Sequence, residues 1–137
     1  MFTKGQRIHL VGIKGVGMTA LAQVLKARGL TLSGSDTGER FFTDAVLKKA
    51  KIPLHLFNTK NITNDVDLVI SSGAYFFEGK ALANNPEIKE ALKKNIPIIS
   101  YPQAIGRLSQ EYKLIAVSGS HGKSTTTAML GWLLEKV

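Results

Sequence analysis

Arg7-Ile8-His9-Leu10-Val11-Gly12-Ile13-Lys14-Gly15-Val16-Gly17 is the stretch whose reading decides the fold. Arg7–Val11 has the character of a buried strand and runs straight into a glycine-rich loop. Beyond it, Met18, Leu21, Ala22, Val24 and Leu25 recur at helical spacing within Val16–Arg28, and Gly29 stands where a C-cap glycine belongs. Strand, glycine loop and helix together open a βαβ unit, whose helix N-terminus is suited to an anion such as phosphate. A dinucleotide fingerprint would place glycines at 12, 14 and 17, but position 14 is lysine and the glycine falls at 15. The backbone still offers a phosphate site. Lys14 either adds a positive charge beside it or faces solvent. Asp36 follows a second strand and lies 24 residues beyond Gly12, about where a carboxylate meets a ribose hydroxyl; a loop or capping aspartate is the plainer reading.

Outward from this stretch, strand and helix signals alternate. Thr31–Ser33, Leu54–Phe57, Val66–Ser71, Pro97–Ser100 and Leu114–Val117 read as extended. Phe41–Ala50, Pro86–Lys94, Pro102–Gln110 and Lys123–Lys136 read as helical, with Asn85 as N-cap and Pro86 at the first helical position. Such alternation predicts an α/β fold, a Rossmann-like parallel sheet with right-handed crossovers and flanking helices. His9 and His55 read as strand-packing residues.

A second glycine loop, Gly119-Ser120-His121-Gly122-Lys123-Ser124-Thr125, follows Leu114–Val117 and precedes an apolar helical pattern. The sequence predicts a strand, phosphate loop and helix, the opening of an ATPase-type sheet. Backbone N–H groups would face phosphates, Lys123 would supply a point charge, and Ser124 a hydroxyl for Mg²⁺. The spacing is the short form, since the general pattern asks for glycine where this chain has Val117. A glycine turn capping a helix is the bland alternative, but a cap has no need of Gly122 and Lys123 together.

Bulk properties narrow the partners. The 137 residues, 44% hydrophobic and 20% charged, are those of an ordinary globular chain with enough length for a core. The absence of cysteine excludes disulfides and thiolate metal sites and suits a cytoplasmic setting. A net charge of +8 favours anionic ligands, but the basic residues are scattered without interleaved aromatics, so no nucleic acid partner is expected. No apolar run reaches membrane-spanning length, so no membrane partner is expected either.

Five segments in order resemble the Mur ligase family. They are His9–Ile13 with Gly15 and Gly17-Met18, Ser33-Gly34-Ser35-Asp36, Val69-Ile70-Ser71-Ser72, Asn85-Pro86-Glu87-Ile88, and Gly119–Thr127. Two departures stand out: Lys14 replaces the family's usual glycine, and Gly73–Asn84 is longer than the usual link. The resemblance implies a UDP-sugar-binding Rossmann-like domain over 1–106, a linker over 107–113, and the start of a central ATP-binding domain over 114–137, the remainder of which would lie outside this chain. It implies that Gly12, Gly15 and Gly17 line the UDP diphosphate, with Lys14 also counted in the UDP-sugar site and Asp36, Ser71 and Ser72 near the uridine or its phosphates. It also implies that Gly119, Ser120, His121, Gly122, Lys123, Ser124 and Thr125 hold ATP. Lys123 would be catalytic, Ser124 would bind Mg²⁺ with Thr125 as a second candidate, and His121 would shape the turn. The implied activity is ATP-dependent joining of L-alanine to UDP-N-acetylmuramate through an acyl phosphate, in peptidoglycan precursor synthesis. A tripeptide-adding relative, a non-catalytic UDP-binding module and an NAD-linked oxidoreductase domain are the competing readings. The last leaves the second glycine loop unexplained.

Overall fold

In the computed structural model, residues 1–77, 80–81 and 84–137 are described. Strand β1 (Arg7–Val11) is buried from Ile8 onward, as a strand covered on both faces must be. Helix α1 (Val16–Ala27) buries Met18, Leu21, Ala22 and Leu25 along one face, and Gly29 turns the chain at φ +82°. Strand β2 (Thr31–Asp36) runs three residues beyond the extent read from the sequence, because its whole length pairs with β1 or the next strand. Helix α2 (Thr43–Lys49) is shorter than the 41–50 pattern. Strands β3 (Leu54–Leu56) and β4 (Leu68–Ser71) follow, then a short antiparallel pair, β5 (Phe76–Phe77) and β6 (Lys80–Ala81). Residues 78–79 and 82–83 of the longer link read at 73–84 lie outside the described residues.

Helix α3 (Pro86–Lys93) starts as its sequence requires: the Asn85 side chain accepts from the Glu87 and Ile88 N–H groups, and Pro86 needs no partner. Strand β7 (Ile98–Ser100) leads into α4 (Tyr101–Ser109), opened by a reciprocal Ser100–Gln103 capping box. Helix α5 (Lys123–Lys136) ends the order.

The main sheet is parallel throughout, in the order β3-β2-β1-β4-β7. The chain winds outward from β1 to β3, then returns to the other side of β1. The switch point therefore lies between β1 and β4, where open α/β sheets bind ligands beyond the strands' carboxyl ends. One core joins α1, α2 and α4 to the sheet through residues such as Leu25, Leu47 and Leu108. Across the sheet, Ile88 and Ala91 of α3 pack with Val11, Ile62 and Val69.

One sequence expectation is corrected. Leu114–Val117 forms no strand; Leu114 and Ile115 are 64% and 60% exposed, and no described strand lies beside them to pair with. Around residue 106, helix α4 runs unbroken to Ser109, Leu108 enters the core, and Glu111 pairs with Arg28 and accepts from the Phe2 N–H, so part of the 107–113 segment that reads as a linker packs on the first unit.

Candidate functional site

The loop from Gly12 to Gly17 leaves β1 at the switch point. Gly12 and Ile13 donate backbone N–H bonds to the Ser35 carbonyl at 2.9 and 3.1 Å, while Ser72 donates to the Val11 carbonyl at 2.9 Å. The carboxyl ends of β1, β2 and β4 are thus laced together. Gly12 is needed twice over: its φ is +77°, and a Cβ there would lie 2.9 Å from the Ser72 Cβ. A Cβ on Gly17 would lie 2.7 Å from the Tyr101 hydroxyl oxygen. Gly15 differs: its φ is −56°, and an added Cβ would meet nothing closer than the Gly12 carbonyl oxygen at 3.8 Å. Gly15 is also the N-cap of α1, which has no side-chain cap and no acidic residue in its first turn. These features leave the helix N-terminus approachable by an anion.

The loop's polar attachments come from three directions. Thr19 Oγ1 donates to the Ile13 carbonyl at 2.9 Å, and Thr43 Oγ1 donates to the Lys14 carbonyl at 2.7 Å. Asp36 accepts from the Lys14 N–H and from the Thr37 N–H, both at 2.8 Å. Lys14 is not solvent-facing: it is 6% exposed, and its ammonium donates to the carbonyls of Thr37 at 3.0 Å and Glu39 at 2.5 Å. The Ser71 hydroxyl is buried and donates to the Ser72 carbonyl. The structure therefore gathers Gly12, Lys14, Gly15, Gly17, Asp36, Ser71 and Ser72 at one edge of the sheet.

Beneath this edge lies a buried polar network that the sequence reading did not assign. His9 Nδ1 and Nε2 contact the Ser33 and Ser35 hydroxyls at 2.8 and 3.2 Å. Ser35 donates to Glu87, which also accepts from the Asn58 N–H at 3.1 Å and the Asn61 side chain at 2.6 Å, and lies 3.5 Å from His9 Nε2. Burial pushes the Glu87 carboxyl up, but the hydrogen bonds from His9, Ser35 and Asn61 outweigh it and hold it below the ordinary glutamate value. The same Ser35 whose carbonyl holds the glycine loop thus ties β2 to α3. A signal existed: a glutamate in the first turn of a helix, facing a sheet with histidine and two serines at alternate positions. Tyr75 adds an aromatic wall, edge-on to Phe57 at 5.6 Å, with its phenol pushed up by burial and then by Asp36.

Residues 119–125 form a separate cradle. Gly122 is the N-cap of α5 with φ +80°, and α5 has neither a side-chain cap nor an acidic residue in its first turn. Lys123 folds back so that its ammonium donates to the Gly119 carbonyl at 2.6 Å. Gly119, Ser120, His121, Gly122, Ser124 and Thr125 are all exposed. Among the described residues, no hydrogen bond or ion pair joins 114–137 to the rest of the chain.

A family model described as the Mur ligase family, catalytic domain, matches residues 7–113. The chain belongs to the Mur ligase family. Among curated Mur ligases, the UDP-N-acetylmuramate–L-alanine ligase of Desulfitobacterium hafniense is 52% identical over 128 residues, and that of Treponema pallidum 40% identical over 134. These alignments take in 93% and 97% of this chain but 27% of each relative, so the chain spans about a quarter of their length. Among solved Mur ligases, the UDP-N-acetylmuramate-alanine ligase of Thermotoga maritima superposes with a TM-score of 0.81 at 36% identity, covering 94% of this chain and 29% of that one. A murein peptide ligase from Psychrobacter arcticus gives the same TM-score at 30% identity, covering 96% and 26%. The backbone is thus shared by Mur ligases that differ in the group they add. No helix among the described residues is long and apolar enough to cross a membrane.

Proposed function

We propose that this chain is the UDP-N-acetylmuramate-binding part, with the adjoining phosphate loop, of a cytoplasmic ATP-dependent ligase that adds L-alanine. The observation that carries the reading is the uncapped α1 N-terminus at the sheet's switch point, flanked by Asp36 and Ser72. The N–H groups of Gly15 to Met18 take the diphosphate, and Asp36 and Ser71-Ser72 border the uridine side. Alanine is favoured over a tripeptide because the curated alanine ligases are up to 52% identical, against 30% for the murein peptide ligase structure.

The second loop fits a nucleotide triphosphate: a helix N-terminus without competing caps or carboxylates, and a Gly122 whose added Cβ would meet nothing within 4 Å. Gly119, Ser120, Gly122 and Thr125 would border ATP, His121 would shape the turn, and Ser124 would hold Mg²⁺. Lys123 would release the Gly119 carbonyl and turn to the phosphates. ATP supplies the phosphoryl group that activates the muramic carboxylate; the amine of L-alanine then displaces phosphate from the acyl phosphate. The chain's part is positioning and charge neutralisation.

Calorimetry on the 137-residue chain tests the first site. UDP and UDP-N-acetylmuramate are expected to bind in preference to NAD. Gly15→Val is expected to abolish that binding while leaving the unfolding midpoint close to wild type, because its Cβ would meet only the Gly12 carbonyl oxygen, at an ordinary contact distance of 3.8 Å. Equal affinity for UDP and NAD would sink the reading.

A further inference from the structure

Lys14 stands where a phosphate-binding loop ordinarily needs the smallest residue, and its placement is specific. An ammonium has three donors. Here two of them go to protein acceptors, the Thr37 carbonyl at 3.0 Å and the Glu39 carbonyl at 2.5 Å, while Asp44 Oδ1 lies 3.4 Å away as an ion-pair contact that makes no hydrogen bond. The same residue's N–H goes to Asp36, and its carbonyl accepts from Thr43. One residue of the glycine loop is therefore bonded to both ends and the middle of the segment joining β2 to α2. The buried position strengthens each of these contacts relative to water. Removing the ammonium would leave two backbone carbonyls without their present donor and the Asp44 carboxylate without its nearby positive charge.

What Lys14 holds in place is equally telling. The segment leaves the carboxyl end of β2 directly after Asp36, on the edge where α/β sheets receive the nucleoside half of a ligand. Its Phe41 ring lies over the Lys14 ammonium, 5.6 Å from nitrogen to ring centroid, yet remains 44% exposed. An aromatic ring anchored from below by a cation and open on its outer side is a stacking surface. Asp44, which meets the Lys14 ammonium, also accepts from the Phe41 N–H at 3.3 Å.

We propose that Lys14 is a positioning residue that fixes the Thr37–Thr43 segment as the nucleoside wall of the UDP site, with Phe41 as the face on which the base stacks. Lys14 acts through this segment and not through a phosphate contact of its own. The proposal rests on the UDP-binding reading and names the residues that build its nucleoside side.

The test uses the full 137-residue chain with two probes, UDP by calorimetry and inorganic pyrophosphate by displacement of UDP. Phe41→Ala is expected to weaken UDP roughly tenfold, the effect of one lost stacking contact, with pyrophosphate within about twofold of wild type. Lys14→Met keeps the apolar stem and removes the ammonium. It is expected to weaken UDP by a similar factor, again sparing pyrophosphate, and to speed amide exchange in 37–44 while α1 stays protected. UDP affinity unchanged in both variants overturns the proposal. So does a parallel loss of UDP and pyrophosphate in Lys14→Met, which would assign Lys14 a phosphate contact. If Lys14→Met does not fold, Phe41→Ala alone decides, since that ring is partly exposed and its loss spares the core. No UDP binding by the wild-type chain would instead count against the parent reading.

Discussion

Residues 12–17 and residues 119–125 are both glycine loops that open a helix without a side-chain cap, and they have different fates. The first is held by β1, β2 and β4, by Thr19 and Thr43, and by the core beneath α1. The second has helical and left-handed backbone in the right places but rests on nothing: α5 buries no residue, and Trp132 and Leu133 are 61% and 53% exposed. Local sequence is enough to shape a glycine loop and start the helix behind it. Burial of the helix behind it, and the strand before it, need neighbours from elsewhere in a fold. Helical segments of this length are marginal in water without such packing.

Hydrogen exchange sharpens the contrast most. Amides in β1 and β4 are expected to exchange only through global unfolding, and those in α5 through local opening, a difference of about a thousandfold or more. Similar protection in both would show that α5 is supported by packing the structure does not contain.

The glycines themselves offer the next largest effect. Gly12→Val combines a strained φ with a clash at Ser72 and is expected to cost roughly 3–5 kcal/mol in urea unfolding. Gly122→Val has equal strain but open space, so the urea transition of the first unit should barely move. Equal losses would mean that the two loops share one cooperative unit.

Glu87→Ala should cost about 3 kcal/mol, because it strands His9, Asn61 and the Ser35 hydroxyl in the interior. The sign with pH follows from the depressed carboxyl. Its stabilisation is fully present above the ordinary glutamate value, about 4.3, and is lost as pH falls from there through the lower folded-state value. Urea midpoints from pH 7 down to pH 3 should therefore drop for wild type and drop less in Glu87→Gln. Parallel curves would remove Glu87 from the account.

The smallest effect separates two leucines. Leu108→Ala is expected to cost about 2–3 kcal/mol despite lying in the segment that reads as a linker, because it is 8% exposed in the first core. Leu133→Ala, on the open face of α5, should stay within about 0.5 kcal/mol.

Much of this molecule is legible in its sequence. The run Arg7–Val11 into Gly12, the helical period after Val16, and the Asn85-Pro86 start of α3 are short-range patterns, and each element appears where its pattern predicts. The parallel sheet follows from their alternation, and the candidate site's edge from the position of Gly12, Asp36 and Ser72 at or just beyond strand ends. Three things were decided only by tertiary structure. Lys14 turned inward because the segment after β2 brings two carbonyls and Asp44 to it from more than twenty residues away. Glu87 became the centre of a buried network because α3 lies across His9 and Ser35. Leu114–Val117, apolar enough for a strand, is not one, because a strand's hydrogen bonds belong to its neighbours and no sequence pattern can supply them. Periodicity and turn chemistry act over a few residues and can be read along the chain; pairing and burial depend on what the rest of the fold brings alongside.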